Sequence, residues 1–370
     1  MADLTKDTVL QALSSVKDPT FDRSLVELGL VSDIVVNGSE LALTIRSSVP
    51  SDAHKSRVET DVRAALASLS TDALTVAVTW DLQVPMRTLT GEDPVPGVKN
   101  VILVMSGKGG VGKSTTAANL ALALKQSGAR VGLLDADIYG PSVPTMLGIE
   151  GHPSSADGVH IEPLERFGLK LMSIGFLLDD PKAAIVWRGP MLHGALQQFL
   201  KDVAWGKLDY LILDLPPGTG DVALTLAQKV KVTGAVIVTT PQEVALQDVY
   251  KSVSMCDKLS IPILGVIENM SFFIDSAGVR HELFGKGGGQ LIADFAKAPL
   301  LGQIPMEMGV REWGDKGTPI VQAAPQSDAA KAFVAIADAL TTRIAVDSFQ
   351  RSGGTKAPAS SGPTRLKIVR

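Results

Sequence analysis

The sequence predicts an α/β protein in which a doubly wound, mainly parallel sheet follows a small N-terminal α/β domain. Two observations lead to this prediction. From residue 100 onward, short apolar runs alternate with helical patterns, which is typical of a parallel sheet with helices on both faces. In addition, a glycine-rich loop joins the first of these runs to the first helix, an order found at phosphate sites of α/β proteins.

The length of 370 residues exceeds what one hydrophobic core usually fills, so more than one domain is expected. We predict a small α/β domain over residues 1–88 and a nucleotide-binding domain over residues 100–345. A linker over 89–99 is predicted between them, because this stretch contains two prolines and other turn residues. Gly, Ser, Pro and Ala dominate near the C-terminus, which predicts a disordered tail over 346–370.

The small domain is predicted to combine two helices with a few strands. Residues 4–16 are amphipathic, and residues 53–69 have helical spacing. Asn37-Gly38 is a strong hairpin signal, followed by an alternating partner strand at 41–45. Residues 74–80 alternate again and predict a further strand.

The larger domain is predicted to contain at least six strands, each an apolar run bounded by turn residues. The predicted strands are Val101–Met105, Arg130–Asp135, Leu169–Ile174, Tyr210–Leu215, Gly234–Thr239 and Ile263–Asn269. Gly128 and Gly168 stand where a glycine commonly ends a helix.

The loop after the first of these strands reads GKGGVGKS and fits G-x-x-x-x-G-K-[ST], the phosphate-binding motif of P-loop NTPases. Its glycines allow backbone N–H groups to converge on phosphate oxygens, and the next helix adds the partial positive charge of its N-terminus. We therefore predict a P-loop NTPase domain that binds ATP and Mg²⁺. The predicted nucleotide contacts are Gly107, Lys108, Gly109, Gly110, Val111, Gly112, Lys113, Ser114 and Thr115.

Three side chains of this loop have separate predicted roles. Lys113 is expected to act in catalysis by reaching the β- and γ-phosphates, while the Ser114 hydroxyl binds Mg²⁺. Lys108 cannot easily share those phosphates without a like-charge cost, so it is a candidate for serving the nucleotide of a neighbouring subunit. A cation supplied in trans accelerates other nucleotide enzymes about 10³–10⁵-fold. The alternative for Lys108 is a solvated lysine at a loop tip.

Acidic residues end two of the apolar runs. Asp135 and Asp137 lie two positions apart, so in extended geometry they share a face, and Asp214 ends the run at 211–214. We predict that Asp137 orients the attacking water and that Asp135 and Asp214 help to hold Mg²⁺, directly or through water. Capping of the next helix is the alternative for one of the first two. Residues 139–142 are predicted to form a switch loop.

Several longer motifs resemble those of one family. GKGGVGKST, DADIYGPS, WRGPM (187–191), LDYLILDLPPGTGD, IENMS (267–271) and FGKGGG (284–289) together resemble the Mrp/ApbC iron–sulfur cluster carrier ATPases, relatives of MinD and ParA. The segments DPT at 18–20 and LVELGLV at 25–31 are similar to the small iron–sulfur-assembly domain that is often fused to this ATPase.

The resemblance implies a homodimer with nucleotides at its interface, in which Lys108 completes the opposite site. It assigns Asn269 to adenine recognition, for which the alternative is an ordinary turn residue. It also implies that the protein hydrolyses ATP and delivers iron–sulfur clusters, with an iron–sulfur scaffold or apoprotein clients as partners.

The chain departs from the family where the cluster is held. Relatives place C-x-x-C between the ENMS and FG-x-GGG segments, whereas this chain has no cysteine there and Asp275–Gly278 is expected to form the turn. Residues 48–53 of the small domain also lack the cysteine of some relatives. Clusters are held chiefly by thiolates, so no cluster ligands are identifiable. An alternative function is therefore a nucleotide-switched assembly factor without its own cluster.

The one cysteine, Cys256, is predicted to lie in the core, because Val249, Val253 and Cys256 repeat at helical spacing. His281, with Asp275 and Glu282 nearby, has the ligand types of a weak metal site, although a polar loop surface is the favoured interpretation. A single cysteine excludes any disulfide within one chain.

Overall charge and hydropathy argue against two other function classes. The net charge of −4 disfavours nucleic-acid and anionic-membrane binding, and no apolar run is long enough to span a bilayer. The N-terminus has no secretory-signal pattern, so a cytoplasmic protein is expected. A partitioning ATPase like ParA or MinD remains a third alternative, disfavoured because RLKIVR at the C-terminus is too short to anchor on a membrane alone.

Overall fold

A computed structural model describes most of the chain in two compact units. The described residues are 4–69, 74–89, 91–137, 140–177, 189–218 and 221–354, and for 68, 189–193, 221, 244 and 245 only the backbone is described. One unit contains the residues up to Met86 together with those from Thr341 onward, and the other is Arg87–Leu340. Among the described residues, no helix is both long and apolar enough to cross a bilayer.

The small unit packs two helices against a three-stranded sheet. Its elements are α1 (Lys6–Leu13), β1 (Lys17–Asp18), β2 (Arg23–Ser24), β3 (Val31–Asn37), β4 (Glu40–Ser47), α2 (Asp52–Leu66) and β5 (Thr75–Leu82). The sheet order is β3-β4-β5, with β3 antiparallel and β5 parallel to the central β4. Along β4 the side chains alternate between exposed and buried positions, which places Leu41, Leu43 and Ile45 in the core.

Local signals in the small unit set its turns and helix ends. Asn37 pairs with Glu40, so the hairpin loop is Gly38-Ser39, one residue later than the predicted Asn37-Gly38. Gly38 takes a positive φ of 60°, which suits glycine. The Ser51 side chain caps α2 by accepting a hydrogen bond from the His54 backbone N–H.

The large unit is an eight-stranded sheet flanked by helices. Its elements are β6 (Val98–Ser106), α3 (Lys113–Gln126), β7 (Val131–Asp135), α4 (Val143–Met146), β8 (Leu164–Arg166), β9 (Leu169–Ser173), α5 (Gly189–Lys201), β10 (Leu208–Asp214), α6 (Asp221–Lys229), β11 (Gly234–Thr239), α7 (Glu243–Lys258), β12 (Ile263–Glu268), β13 (Phe273–Ile274), β14 (Arg280–His281), α8 (Gly288–Ala296), β15 (Leu300–Gln303), α9 (Met308–Asp315), α10 (Ile320–Ala323) and α11 (Asp328–Arg351). Of α11, only the residues up to Leu340 belong to this unit. The strand order is β15-β12-β11-β6-β10-β7-β9-β8.

This sheet confirms the predicted fold class. All neighbouring strands are parallel except β8, which runs antiparallel to β9 at one edge. The six predicted strands are present, with bounds that differ by three residues at most. The edge strands β8 and β15 were not predicted, because they are only three and four residues long and are partly exposed.

The structure corrects the predicted start of the C-terminal tail. Helix α11 continues to Arg351, so residues 346–351 are helical rather than disordered. Asp347 pairs with Arg343 one turn earlier, and the Phe349 ring lies 4.7 Å from the Phe21 ring within the small unit. These contacts order a segment whose composition alone predicts disorder. Residues 355–370 of the predicted tail lie outside the described residues.

Part of the predicted linker is anchored in the large unit. The buried Arg87 guanidinium binds the Asp93 carboxylate and donates to the Val95 carbonyl. Burial raises the pKa of Asp93, but hydrogen bonds from Arg87 and Val95 outweigh this effect and hold it below its usual range. Strand β6 begins at Val98, two residues before the predicted start of the nucleotide-binding domain.

Candidate functional site

The candidate nucleotide site lies at the carboxyl ends of the central strands, where open α/β sheets bind ligands. Strands β6 and β10 are neighbours and almost wholly buried, and β7 lies on the other side of β10. Asp214 at the end of β10 is the direct cross-strand partner of Asp135 at the end of β7. The topology therefore places the two predicted magnesium-binding acids side by side, close to the loop that follows β6.

Close backbone contacts explain the glycines of this loop. Gly110 and Gly112 both adopt positive φ angles, of 81° and 79°. A Cβ on Gly107 would lie 2.4 Å from the Val249 backbone nitrogen, and one on Gly112 would lie 2.2 Å from Asn269 Nδ2. A side chain at either position would displace helix α7 or Asn269, so glycine is required there.

Lys113 is buried and lies between two carboxylates. Its Nζ is 2.6 Å from Asp214 Oδ1 and 3.6 Å from Asp137 Oδ2, and it also lies 3.2 Å from the Ser114 hydroxyl. The structure thus brings together four residues that the sequence predicted separately. The two acids balance the charge of the buried lysine.

One carboxylate oxygen of Asp214 accepts no hydrogen bond from the described residues. This oxygen, Oδ2, is buried. Burial raises the pKa of Asp214, although Lys113 and the Ser114 hydroxyl oppose this effect. An orphaned carboxylate oxygen beside a serine hydroxyl fits a hard divalent cation such as Mg²⁺, which prefers oxygen ligands.

Asp135 is engaged on both oxygens by the protein itself. Its Oδ1 accepts a hydrogen bond from the Asp137 N–H, and its Oδ2 accepts from the Val143 N–H and the Ser173 hydroxyl. Burial, together with the nearby Asp214, raises the pKa of Asp135 to about 7. These contacts hold the segment that follows β7, and they leave Oδ1 with one hydrogen bond and a lone pair for a cation or a water molecule.

Two predicted elements near these acids lie partly outside the described residues. Residue 139 of the predicted switch loop is not described, and neither are 187 and 188 of the WRGPM motif. Asp137, just before the switch loop, is mostly buried and faces Lys113.

Lys108 has no acidic partner within the part of the chain that the structure describes. Its backbone carbonyl accepts a hydrogen bond from the Ser106 hydroxyl, which fixes the loop but leaves the side chain unengaged. The ammonium group is therefore available to a ligand or to another subunit.

Asn269 holds the phosphate loop from the side of β12. Its Nδ2 donates a 2.8 Å hydrogen bond to the Val111 carbonyl, and the residue is buried. Asn269 also lines a cavity of about 680 Å³ that begins at Gly112 and Thr115 of the loop. This volume lies within the usual range for small-molecule sites.

The other walls of this cavity are mostly apolar and were not predicted from the sequence. They include Met146, Met270, Phe273, Leu283, Met306, Met308 and Arg311. These residues come from segments that are far apart in the sequence, and only Met270 belongs to one of the motifs singled out above, IENMS. Only the methionine content of 305–308 is locally unusual, and methionine is common at adaptable apolar surfaces.

The segment between the IENMS and FGKGGG motifs, where the family resemblance implies C-x-x-C, forms a hairpin, β13–β14. As expected, residues 275–278 make its turn. Asp275 accepts hydrogen bonds from the backbone N–H groups of Ala277 and Val279, and from His281 Nε2 at 2.7 Å. The hydrogen bond from His281 lowers the pKa of Asp275. Within the described ranges, no three His, Cys, Asp or Glu side chains are grouped as a metal site would need.

The prediction that Cys256 lies in the core is confirmed. Its side chain is fully buried on α7, and its Sγ lies 3.8 Å from Met105 Sδ. Burial raises the pKa of the thiol to about 12, so Cys256 stays protonated at neutral pH. A protonated, buried thiol is unsuited to hold iron.

Two family models match this chain. Residues 97–341 match the model described as "NUBPL iron-transfer P-loop NTPase", and residues 6–78 match the model described as "Iron-sulfur cluster assembly protein".

Proteins named iron-sulfur cluster carrier protein are among the curated relatives. The one from Synechocystis is 45% identical over 350 residues, which cover 93% of this chain and 99% of that protein. The one from Aquifex aeolicus is 56% identical over 264 residues, covering 70% of this chain and 71% of the relative. Among solved structures, a nucleotide-binding protein from Archaeoglobus fulgidus in complex with ADP is 39% identical, with a TM-score of 0.57, over 66% of this chain and 98% of that chain.

Proposed function

We infer the function from one premise: this chain belongs to the NUBPL family of iron-transfer P-loop NTPases. This membership confirms the resemblance predicted from the sequence motifs. We propose that the protein is an ATP-binding and ATP-hydrolysing carrier that transfers iron–sulfur clusters to apoproteins. The observation that carries the nucleotide part is the buried Lys113 at the glycine loop, held by Asp214 and Asp137 where a triphosphate would replace them.

Binding of the triphosphate exchanges one set of anions for another. Lys113 leaves the two carboxylates and neutralises the β- and γ-phosphates, while backbone N–H groups of residues 107–115 surround the phosphate chain. Ser114 Oγ and the orphaned Asp214 Oδ2 are the protein oxygens that would hold Mg²⁺. The cation supplies charge neutralisation at the phosphates, and it compensates Asp214 for the loss of its lysine.

Hydrolysis requires a water molecule in line with the γ-phosphate. We assign its orientation to Asp137, which already faces the phosphate-binding lysine and whose carboxylate becomes free when Lys113 turns to the nucleotide. Asp135 supports this arrangement because it binds the Asp137 N–H. Slow turnover is expected, since hydrolysis serves as a switch rather than a metabolic step.

A homodimer would complete the site. The unpaired Lys108 would supply its charge to the nucleotide of the opposite subunit, as the family resemblance implies. The absence of an acidic partner for Lys108 among the described residues supports this role.

The base of the nucleotide would occupy the cavity beside Gly112. Asn269 would recognise adenine there, while its amide also holds the Val111 carbonyl. The apolar walls provide a surface on which a purine can pack.

The cargo is proposed from the relatives. Curated relatives over nearly the full chain are named for cluster carriage, which favours a carrier over an assembly factor that never binds a cluster. One observation favours this second candidate: the whole sequence has a single cysteine, and that thiol is buried and protonated. If the chain carries a cluster, thiolates of the scaffold or client are the natural source of the missing ligands.

Anaerobic reconstitution separates the two candidates. The full-length protein is incubated with ferrous iron and sulfide, with and without a small thiol, and bound iron, sulfide and charge-transfer absorption are measured. Transfer to an apoferredoxin is then followed with and without ATP. We expect bound cluster and ATP-dependent transfer, equal in the parent and in Cys256→Ala. Absence of both absorption and transfer would contradict the carrier and leave the assembly factor.

A further inference from the structure

Glu268 is a fully buried acid at the end of β12, and none of the functions described above uses it. No ion pair among the described residues involves this carboxylate. It is stabilised instead by three hydrogen bonds of 2.5–2.6 Å, which come from three different parts of the chain. Losing any one of these hydrogen bonds to the buried carboxyl group would cost free energy, so the three donors are held in place around Glu268.

Two of these donors lie at the two ends of one segment of the chain, which leaves the sheet after β12 and returns to it at α8. The Ser271 hydroxyl donates to Glu268 Oε1 where this segment leaves β12, and the Gly289 N–H donates to Oε2 where it returns into α8. Residues 271–289, here called the hairpin segment, contain β13 and β14. The third donor, Gln303 Nε2, lies at the end of the neighbouring β15.

The glycines at the start of α8 allow this contact. A Cβ on Gly289 would lie 2.7 Å from the Glu268 Cβ, and one on Gly288 would lie 2.7 Å from the Pro241 carbonyl oxygen. Both positions must therefore be glycine for α8 to approach the sheet. The N-terminus of α8 then directs its partial positive charge toward the carboxylate.

The neighbouring residue connects this cluster to the nucleotide site. Asn269 directly follows Glu268 and donates its side-chain amide to the Val111 carbonyl of the phosphate loop. Glu268 is the last residue of β12, and Asn269 is the first residue of the turn that follows. The end of β12 is thus held by α8 and the hairpin segment through Glu268, while Asn269 holds the phosphate loop.

We propose that Glu268 is a positioning residue of the nucleotide site, which fixes the end of β12 so that Asn269 can hold the phosphate loop and which anchors both ends of the hairpin segment. The proposal rests on the proposed nucleotide-binding function. Phe273 and Leu283 of the hairpin segment also line the cavity beside the loop, so its anchoring shapes the base site as well.

The test compares Glu268→Gln with Asn269→Ala, the double variant and the control Glu165→Gln, whose side chain is exposed on β8. In Glu268→Gln, an amide N–H₂ group replaces one carboxylate oxygen, so at least one of the three donors loses its acceptor. We expect magnesium-ATP to bind about tenfold more weakly to Glu268→Gln, with kcat at saturation within about threefold of the parent. Adding Glu268→Gln to Asn269→Ala should weaken binding by less than Glu268→Gln does in the parent, because the contribution through Asn269 is already lost and only the effect on the base site remains. The control should match the parent. Independent, multiplicative losses, or no loss in Glu268→Gln, would overturn the proposal.

Hydrogen exchange without nucleotide provides a second readout, which does not depend on ATP binding. We expect faster exchange in Glu268→Gln at residues 109–112 and 271–289, and parent-like exchange in residues 117–126 of α3 and in β10. A uniform increase across the large unit would overturn the proposal, because it indicates general destabilisation. If the parent fails to bind ATP, the proposed function fails, whereas the exchange pattern still decides the role of Glu268.

Discussion

Lys113 shows how the nucleotide-free site keeps a buried cation. Its ammonium group is surrounded by Asp214, Asp137 and the Ser114 hydroxyl, so its charge is balanced before any ligand arrives. In the proposed function, the same acids would be released for magnesium and water when the lysine turns to the phosphates. One side chain would thereby couple occupancy of the phosphate site to the availability of both carboxylates.

The acids of this site should make the stability of the nucleotide-free protein depend on pH. The pKa of Asp135 is about 7 in the folded protein, whereas an aspartate in the unfolded chain has a pKa of about 4. Between about pH 4 and pH 7, Asp135 therefore keeps its proton in the folded state but loses it in the unfolded state. The stabilisation is complete below about pH 4 and is lost as pH rises through about 7.

We predict a lower free energy of unfolding at about pH 8 than at about pH 5.5, and a smaller difference between them in Asp135→Asn. Urea unfolding without nucleotide measures both. The raised pKa of Asp214 acts in the same direction, so some pH dependence should persist in the variant. An identical dependence in parent and variant would contradict the assignment of the proton to Asp135.

Cys256 should be chemically inert in the folded protein. Because its pKa is raised to about 12 and its side chain is buried, almost no thiolate is exposed at neutral pH. We predict no alkylation by iodoacetamide at about pH 8 in the folded protein and complete alkylation in urea, as measured by intact mass. Rapid alkylation of the folded protein would contradict the burial of the thiol and would make Cys256 a candidate cluster ligand again.

Local motifs predicted only part of the candidate site. The glycine loop, Lys113 and Ser114 follow from one contiguous motif, and Asp214 follows from the end of a separate apolar run. The short distances from Lys113 to Ser114 and Asp214 in the structure agree with both predictions. Glu268 could not be assigned in this way, because its partners at 271, 289 and 303 are brought together only by the sheet. The involvement of Asp135 with Val143 and Ser173 likewise depends on tertiary packing.

At the level of elements, helix α8 shows why close packing constrains sequence. Gly289 lies in its first turn, and its φ is not in the left-handed region, so only space restricts the residue. We predict that Gly289→Ala destabilises the protein by about 1–3 kcal/mol, because the new methyl group would overlap the Glu268 side chain. Thermal unfolding measures this change.

Gly194→Ala in helix α5 is the matched control. A Cβ there would meet nothing within 4 Å, so this substitution should be neutral or slightly stabilising through helix propensity. Equal unfolding temperatures for Gly289→Ala and Gly194→Ala would show that α8 does not pack against Glu268 as closely as described.

Buried strands were the elements most readily predicted. Strands β6, β7, β10 and β11 are continuous apolar runs because both faces of a parallel sheet are covered. The last turns of α11 were missed because Phe349 acquires its partner, Phe21, only in the folded small unit. The amino-acid composition around residue 349 therefore does not predict the contact between the two rings.

At the level of the whole molecule, the small unit is built from both ends of the chain. Phe349 packs against its core, and the Arg23 guanidinium donates a hydrogen bond to the Gly354 carbonyl. Residues 341–354 therefore complete a unit whose other described residues all precede residue 87. A version of this unit designed for separate study should include the C-terminal segment.

The proposed nucleotide site requires that the triphosphate is bound through Lys113. Equilibrium dialysis of magnesium-ATP tests this requirement directly. Lys113→Ala removes the phosphate-binding cation and leaves Asp214 and Asp137 to repel the nucleotide. We predict that it binds at least about tenfold more weakly than the parent. Lys229→Ala, at the exposed end of α6, should bind like the parent. Equal affinity of Lys113→Ala and the parent would contradict the proposed nucleotide site.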